Sequence, residues 1–277
     1  MNAIASLAPG LHRDIPMADY LAMDGVSASL LHVLASSTPA HARVYMTQPR
    51  EDTTALIVGE AAHYAILEPE LFGSRYLLPP DVDRRTKDGK AEWAAFVAAN
   101  PSGVALVHDE YHRALAMAEA VRAHSEAGRY LYGRGLNEVT ALWDDDGIAC
   151  KARPDRVAAV DEWTWIVDVK TCRSASPHGF AKAIADYGYH QKAAWYVDAL
   201  NALDPRERRF LFVAVEKEPP FAVALYELTD EAIGQGRAQN AAALATYREC
   251  RESGVWPGYP SGVEFLDLPK WAQLRTE

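Results

Sequence analysis

The sequence predicts an α/β fold in which a mixed central sheet is flanked by helices and preceded by a helical N-terminal part. Apolar residues recur at three-to-four spacing through much of residues 1–130, a pattern typical of amphipathic helices. Beyond that region, short apolar runs separated by turn residues indicate strands. Two helical segments lie between the third and fourth strands, as a crossover between parallel strands requires. We therefore predict a single domain over residues 1–277, with residues 131–277 as its sheet core.

The N-terminal elements are expected to be helices joined by loops. Residues 1–60 have a helical and loop-like pattern in which Ser27 or Ser29 is placed to cap a helix. An apolar helix is predicted over 54–67, closed by Pro69. The remaining predictions for this part are a charged loop over 81–90 and helices over 91–100 and 109–124.

The second half of the chain is expected to contain the strands. A strand over 137–143, a turn over 144–147 and a returning strand over 148–157 form a predicted hairpin. The elements predicted after it are a strand over 163–171, a helix capped by Ser174 or Ser176, a helix over 189–200, strands over 208–217 and 221–228, a helix over 230–252, and a tail that wraps the surface. We expect all five strands to lie in one mixed sheet.

The composition argues against several classes of protein. The net charge is −10, whereas indiscriminate nucleic-acid binders are usually basic. An enzyme acting on a polyanion is still compatible with this charge, because metal ions offset acidic residues at a site. Three cysteines without a CxxC pair argue for a reducing cytoplasm and against a disulfide framework or a structural zinc site. No apolar run has membrane-spanning length, and the opening residues lack a signal-peptide pattern.

Two carboxylates and a lysine lie on the predicted core strands. Asp155 is in "RPDRV", and Asp168 and Lys170 are in "IVDVKT", with twelve residues between the two aspartates. Alternate side chains of a strand point to opposite faces, so Asp168 and Lys170 are expected on one face and Val169 in the core. An exposed ion pair on the sheet surface is the simplest alternative, but charges on so apolar a strand are rarely tolerated without pairing or function.

These residue types suit phosphodiester hydrolysis. Mg²⁺ prefers oxygen ligands and usually keeps several waters, so one or two carboxylates on rigid strands are enough to hold it. A bound ion polarises the phosphoryl oxygen and lowers the pKa of a water. A lysine beside that water orients it and stabilises the charge that develops on phosphorus.

The motif and its flanking segments resemble a known family. "PD", twelve residues and "DVK" resemble the signature of the PD-(D/E)XK nucleases, which have a restriction-endonuclease-like core. The segments "GEAAHYAILEPELF", "RTKDGKAEWAAF", "KARPDRV" and "YGYHQKAAWYVDAL" are similar to those of RecE-type exonucleases (exodeoxyribonuclease VIII), which occur with phage recombination systems. The likeness runs from about residue 17 to residue 259, nearly the whole chain.

The resemblance implies a role for each matching residue of the motif. Asp155 and Asp168 match the two metal-binding carboxylates, which also makes them catalytic residues. Lys170 matches the catalytic lysine. Val169 matches the position whose backbone carbonyl also reaches the metal. The implied metal is Mg²⁺, with Mn²⁺ as the alternative.

Two further metal ligands follow from the resemblance. His63 matches a histidine that joins the metal site in RecB-like and RecE-like members. By itself, a histidine on an apolar helix is more often a hydrogen-bonded core residue. Glu138 matches, more loosely, an additional acidic residue of many relatives, and a glutamate that opens a strand is often only solvated.

Three arginines flank the carboxylates and are candidates for DNA contacts. Arg153, Arg156 and Arg173 are able to hold phosphates, since guanidinium groups bind them with paired hydrogen bonds. They serve equally well as counter-charges for an acidic site. Both interpretations are kept for each arginine.

The helix after the lysine strand departs from the family pattern, which places Gln four residues before Tyr. Here Lys192 lies four residues before Tyr196, and Gln191 lies five before it. Residues three or four apart share a helix face, and residues five apart do not. Either Gln191 contacts DNA from a rotated helix, or Lys192 makes a phosphate contact in its place. Tyr196 is a further candidate for a DNA contact on this helix.

The resemblance implies an enzyme that digests one strand of duplex DNA from an end, in the 5′-to-3′ direction, and leaves a 3′ single strand for recombination. The implied partners are double-stranded DNA ends, a RecT-type single-strand annealing protein and further copies of the chain in a ring; no membrane contact is expected. The alternatives are a RecB-like or restriction-type nuclease on single strands or internal sites, a catalytically inert relative that binds DNA ends, and a phosphatase on small nucleotides.

Overall fold

The computed structural model describes residues 7–48 and 53–269. Parts of the predicted N-terminal helical region, at 1–6 and 49–52, and the end of the predicted tail, at 270–277, lie outside the described residues. In chain order the described elements are β1 (Gly10–His12), α1 (Met17–Ala22), α2 (Ala28–Ser36), α3 (Pro39–Thr47), α4 (Thr54–Leu67), α5 (Pro69–Arg75), β2 (Tyr76–Leu77), α6 (Lys87–Ala99), β3 (Val104–Ala105), α7 (His108–Ala123), α8 (Ala127–Leu131), β4 (Gly135–Asn137), β5 (Thr140–Asp145), β6 (Ile148–Ala152), β7 (Arg156–Val160), β8 (Trp163–Cys172), α9 (Pro177–Asp186), α10 (Tyr189–Leu203), β9 (Arg208–Glu216), β10 (Val223–Glu227) and α11 (Asp230–Ser253).

A five-stranded mixed sheet, hereafter the main sheet, forms the centre of the fold with the strand order β10-β9-β8-β7-β4. Its long central strand, β8, runs parallel to β9 and antiparallel to β7. The connection from β8 to β9 passes through α9 and α10, since parallel neighbours need a crossover. This confirms the predicted mixed central sheet flanked by helices.

The predicted hairpin lies mainly in a different sheet. β5 and β6 pair with each other and with β1 in a three-stranded antiparallel sheet, hereafter the hairpin sheet. The prediction that both hairpin strands belong to the central sheet is therefore wrong. The region before residue 60 also contains a strand, β1, where only helices and loops were expected. β2 and β3 form a separate parallel pair.

Both predicted hairpin strands are interrupted, and this explains the second sheet. The returning strand stops at Ala152 and resumes at Arg156, because Pro154 between them has no N–H for a ladder hydrogen bond. The first strand is broken between β4 and β5, where Glu138 has a φ of 50°. The Glu138 N–H donates to the Asp155 carbonyl at 2.9 Å, which holds the two breaks together.

Helices cover both faces of the main sheet and create two apolar cores. On one face, α4, α7 and α8 pack against side chains that include Trp165, Val167 and Val169. On the other face, α2, α9, α10 and α11 enclose Ile166 and Phe212 together with the hairpin sheet. Successive residues of β8 therefore alternate between two cores, and the strand is rigidly held from both sides.

Several helix ends follow the sequence prediction. Ser27, Ser176 and Thr229 each accept a hydrogen bond from the backbone N–H three residues later, which selects one of the two candidates in the first two cases. Thr86 caps α6, so this helix begins inside the predicted charged loop. None of the described helices is both long and apolar enough to cross a membrane. The assignment of residues 1–277 to a single domain stays a prediction.

Candidate active site

The predicted carboxylates meet where β7 begins beside β8. In the antiparallel register Arg156, the first residue of β7, lies opposite Val167, so Asp155 stands beside Asp168 just before β7 begins. The Val169 N–H, next along β8, donates to the Asp155 carboxylate with Oδ2 at 2.7 Å. The Asp155 side chain thus continues the ladder of hydrogen bonds where the neighbouring strand stops.

The helix α4 brings His63 to the same carboxylate. His63 Nδ1 donates to the Gly59 carbonyl at 3.0 Å, which directs Nε2 toward Asp155 Oδ2, 3.1 Å away. Burial by itself lowers the pKa of His63, but the charge of Asp155 and the hydrogen bond to it raise this pKa, and the net shift is upward. Because a carbonyl only accepts, Nδ1 keeps its proton, and deprotonation at Nε2 leaves a lone pair able to bind a metal.

Gly59 has a role that sequence reasoning missed. A Cβ atom at this position would lie 3.4 Å from Thr171 Oγ1, so α4 and β8 are in close contact here. Its carbonyl also orients the histidine ring. The signal was present in the sequence: a glycine inside an apolar helix, four residues before His63, usually has a packing or functional reason.

Asp168 lies on the other face of β8 from Val169 and is fully buried. Its side chain is 0% exposed, and Lys170 donates to Oδ2. From α10, Lys192 places Nζ 2.6 Å from Oδ1, in ion-pair contact, although Oδ1 makes no hydrogen bond of normal geometry. The shared face of Asp168 and Lys170, with Val169 in the opposite core, is as the alternation of the strand predicted.

The charges at the site stabilise one another. Burial raises the pKa of Asp155, but the positive charges around it, Lys192 and His63 foremost, hold that pKa well below its usual range. Burial lowers the pKa of Lys170, with Asp168 opposing the shift. Burial also acts to lower the pKa of Lys192, but the adjacent Asp168 carboxylate raises it well above its ordinary value. Asp155 is therefore ionised and Lys192 charged at neutral pH.

Glu138 and Arg153 form an ion pair at the border of the site. Arg153 Nε donates to Glu138 Oε2 at 2.7 Å, and its Nη1 donates to the Ile15 carbonyl at 2.6 Å. Burial and the charge of Asp155 raise the pKa of Glu138 to about 7, against the opposing effect of Arg153. Of the two roles considered for Arg153, the geometry supports the counter-charge, since its guanidinium is occupied by protein acceptors.

Arg156 is not available to DNA. It is buried, and its guanidinium donates to the carbonyls of Tyr130 and Gly133 and to the side-chain oxygen of Asn137. The prediction that Arg156 contacts DNA is therefore wrong, because the protein itself already engages all three guanidinium nitrogens. Arg173, by contrast, is exposed, and its contact with DNA stays a prediction.

The helix α10 presents Lys192 to the site, and not Gln191. Gln191 is buried, its Oε1 accepts from His32 Nδ1 at 2.8 Å, and its backbone carbonyl accepts from Asn240. It faces α2 and α11, so the prediction that Gln191 contacts DNA is wrong. Tyr196 is also buried and lies under Lys192, with 5.1 Å between Nζ and the ring centre. Tyr196 supports the lysine and is not exposed for a DNA contact.

The donor set at this point suits a hard divalent cation. Asp155, Asp168 and the Val169 carbonyl offer oxygen atoms, and His63 offers Nε2. Oδ1 of Asp168 lacks a normal hydrogen bond, and two ammonium groups supply the positive charge around it. Within the described residues, no three His, Cys, Asp or Glu side chains are already grouped for a metal. A cation here would complete its shell with water, as Mg²⁺ commonly does.

Two carboxylates and a lysine that meet beside an interrupted strand of a mixed sheet are characteristic of the PDDEXK-like class. Residues 27–269 match the family model described as a PDDEXK-like domain of unknown function (DUF3799), and the chain belongs to this family. The matched residues include the whole site. This confirms the resemblance to the PD-(D/E)XK proteins, while the RecE-type assignment stays a prediction.

A solved structure shows the same fold at low sequence identity. A crystal structure described as a "Putative exonuclease" from Eubacterium rectale is similar with a TM-score of 0.64 and 13% identity, over 93% of this chain and 96% of that one. A second structure, SSO0001, has a TM-score of 0.38 and 12% identity over 83% of this chain and 81% of that one, too distant to support an argument. No curated protein matches this chain in sequence.

Proposed function

We propose that this protein is a metal-dependent deoxyribonuclease, and more specifically a 5′-to-3′ exonuclease acting on the ends of double-stranded DNA. The observation that carries the proposal is the meeting of Asp155, Asp168 and Lys170 at one break in the sheet, with His63 against Asp155. Membership of the PDDEXK-like family supports phosphodiester hydrolysis as the reaction. The fold likeness to a protein described as an exonuclease agrees with digestion from an end.

Each side chain has a distinct part in this proposal. Asp155, Asp168 and the Val169 carbonyl would hold Mg²⁺ or Mn²⁺, which when bound polarises the phosphodiester and acidifies a water. His63, whose Nε2 contacts Asp155, would be a further ligand of the ion. Lys170, fixed beside Asp168 by the strand, orients the attacking water and stabilises negative charge on the phosphate.

The biological setting is part of the same proposal and rests on the family resemblance. Digestion of one strand would leave a 3′ single strand for recombination, received by a RecT-type annealing protein. Copies of the chain would assemble into a ring around DNA, and the protein would work in the cytoplasm. The three cysteines are all free, which agrees with a reducing compartment.

The test is digestion of a linear duplex labelled at one 5′ end, with Mg²⁺, with Mn²⁺ and with EDTA. We expect short labelled products in either metal and none in EDTA. Asp168→Asn should reduce the rate by about 10²–10³-fold or more, because it removes the buried ligand charge. A metal-dependent wild type and an equally active Asp168→Asn would contradict the assignment of the site.

Three further substrates separate the alternatives. A relaxed circular duplex should resist digestion by an exonuclease, whereas cleavage of the circle indicates an endonuclease. Faster digestion of single-stranded than of duplex DNA would favour the RecB-like alternative. Release of phosphate from nucleoside monophosphates, without cleavage of any polymer, would indicate a phosphatase. Binding of DNA ends without cleavage in either metal would leave the catalytically inert alternative.

A further inference from the structure

Asp168 has two ammonium partners, and one of them comes from a different element. Lys170 is two residues away on β8, and Lys192 reaches across from α10 to within 2.6 Å of Oδ1. Lys192 is also the foremost positive charge acting on Asp155, so the two lysines together balance two carboxylates.

The two lysines differ in how free they are to leave Asp168. Lys170 is attached to the same strand and the same face, so it stays near this carboxylate whatever else binds. Lys192 is attached to a helix by a flexible four-carbon stem, and its Nζ lies 5.1 Å from the ring centre of Tyr196. Its side chain is 26% exposed against 13% for Lys170, so more of it has access to solvent.

The charges of the carboxylates and lysines at the site place a bound cation in competition with a lysine for Asp168. Asp155, Asp168, Lys170 and Lys192 together carry two negative and two positive charges. A divalent cation added to this neutral cluster would face two ammonium groups at close range. Removal of Lys192 from Oδ1 both frees an oxygen ligand and withdraws one positive charge, so the cation and Lys192 compete for Asp168.

We propose that Lys192 is an internal counter-ion of Asp168, which occupies Oδ1 in the metal-free protein and is exchanged for the metal ion when the site is loaded. Once displaced, its ammonium group turns outward at the rim of the site and is positioned for a phosphate of the DNA. Lys192 is thus a positioning residue that keeps the buried carboxylate neutralised between rounds of metal binding. The inference rests on the proposed function only in requiring that the site binds a divalent cation.

The experiment is a calorimetric titration of the full chain with Mn²⁺ and with Ca²⁺, in the absence of DNA. Four proteins are compared: wild type, Lys192→Gln, Lys192→Arg and, as a matched control on α9, Lys182→Gln. Lys182 is exposed and pairs with Asp186, away from the site. We expect Lys192→Gln to bind both ions about tenfold more tightly than wild type, since one competing charge is gone. Lys192→Arg should stay near wild type, and Lys182→Gln should match it.

Thermal unfolding in EDTA gives a second readout. Without metal, Lys192→Gln leaves Asp168 with one cation, so its melting temperature should fall by a few degrees below wild type. Saturating Ca²⁺ should narrow or reverse this difference. The Lys192→Arg variant should restore most of the stability in EDTA.

Each outcome of the titration either supports or overturns the exchange of Lys192 for the metal ion. Equal or weaker metal binding by Lys192→Gln would overturn the exchange, as would the absence of metal binding by the wild type. Tighter binding that is also seen in Lys192→Arg would overturn it too, because the retained charge should still compete. Tighter binding by Lys192→Gln alone, in a protein that cleaves no DNA, would support the exchange and count against the nuclease proposal.

Discussion

Two regions that flank the paired aspartates both contain basic side chains, but these side chains face different groups. In one region, Arg153 and Arg156 donate to backbone carbonyls and to side-chain oxygens of neighbouring segments. Toward α10, Lys170 and Lys192 face the carboxylate of Asp168 and remain partly exposed. The first region stabilises the break between two sheets, and the second leaves positive charge where a substrate phosphate would arrive. The distance of a basic residue from the motif in sequence does not show to which of the two regions it belongs.

The largest expected effect is on the lysine side. Lys170→Met should reduce DNA cleavage by about 10²–10³-fold, because it removes the charge that orients water and stabilises the phosphate. The fold should persist, since Lys192 still neutralises Asp168. Cleavage rate and circular dichroism, measured on the same preparation, check both statements. A variant that is folded and fully active would place Lys170 outside the reaction.

Replacing Arg156 should have the opposite effect to replacing Lys170: the protein loses stability and keeps its cleavage rate. Arg156→Ala removes a buried guanidinium and leaves two carbonyls and one amide oxygen without their donor, so the free energy of unfolding should fall by about 2–4 kcal/mol. Urea unfolding in EDTA measures this. The cleavage rate per folded molecule should stay within a few-fold of wild type at a temperature where the variant is folded. A stable variant that has lost DNA affinity would restore the abandoned prediction of a DNA contact.

Glu138, at the border between the two regions, is expected to make the stability of the protein depend on pH. Its pKa is raised from 4.5 to about 7, so between these values the folded chain binds a proton that the unfolded chain has lost. The stability from this proton is fully present below pH 4.5 and is lost as the pH rises through 7. We expect the unfolding free energy of wild type relative to Glu138→Gln to fall by about 1–3 kcal/mol over this range.

The measurement is urea unfolding of both proteins in EDTA at several pH values. Gln is still able to accept the hydrogen bond from Arg153, so the comparison isolates the proton. A difference that is constant or that grows with pH would show that Glu138 is ionised in the folded protein throughout.

The smallest expected effect is at Arg173, the exposed arginine of the three that were predicted to bind DNA. Arg173→Gln should weaken DNA binding by a few-fold and reduce the salt dependence of the affinity by about one unit of slope. Its melting temperature should match that of wild type. Binding measured in Ca²⁺ at several salt concentrations provides the check, and an unchanged slope would mean that Arg173 contacts no phosphate.

Much of the site was predictable because it depends on local periodicity. The alternation along β8 alone places Asp168 with Lys170 and sends Val169 to the opposite core. The helix carrying His63 was predictable from its apolar spacing, and the mixed central sheet from the order of strands and helices. Each of these features is decided by residues close together in the chain.

The errors arose where a buried polar group takes its partners from distant segments. Arg156 was expected at DNA, yet its acceptors come from Tyr130, Gly133 and Asn137, which no pattern around "RPDRV" identifies. The two sheets were predicted as one because the hairpin turn was recognised while the break at Pro154 was not. A proline in a strand leaves open whether the chain ends, bulges or changes sheet.

The class of the protein follows from the resemblance of its motif and flanking segments to a known family, and the faces of β8 follow from strand periodicity, so both are properties of the chain. The choice between Gln191 and Lys192 depends on the folded protein. These residues are neighbours on α10 and point in different directions, so the choice depends on how the whole helix is rotated against the sheet. His32 and Asn240 hold Gln191 on the buried side. The packing of α2 and α11 against α10 therefore directs Lys192 to Asp168.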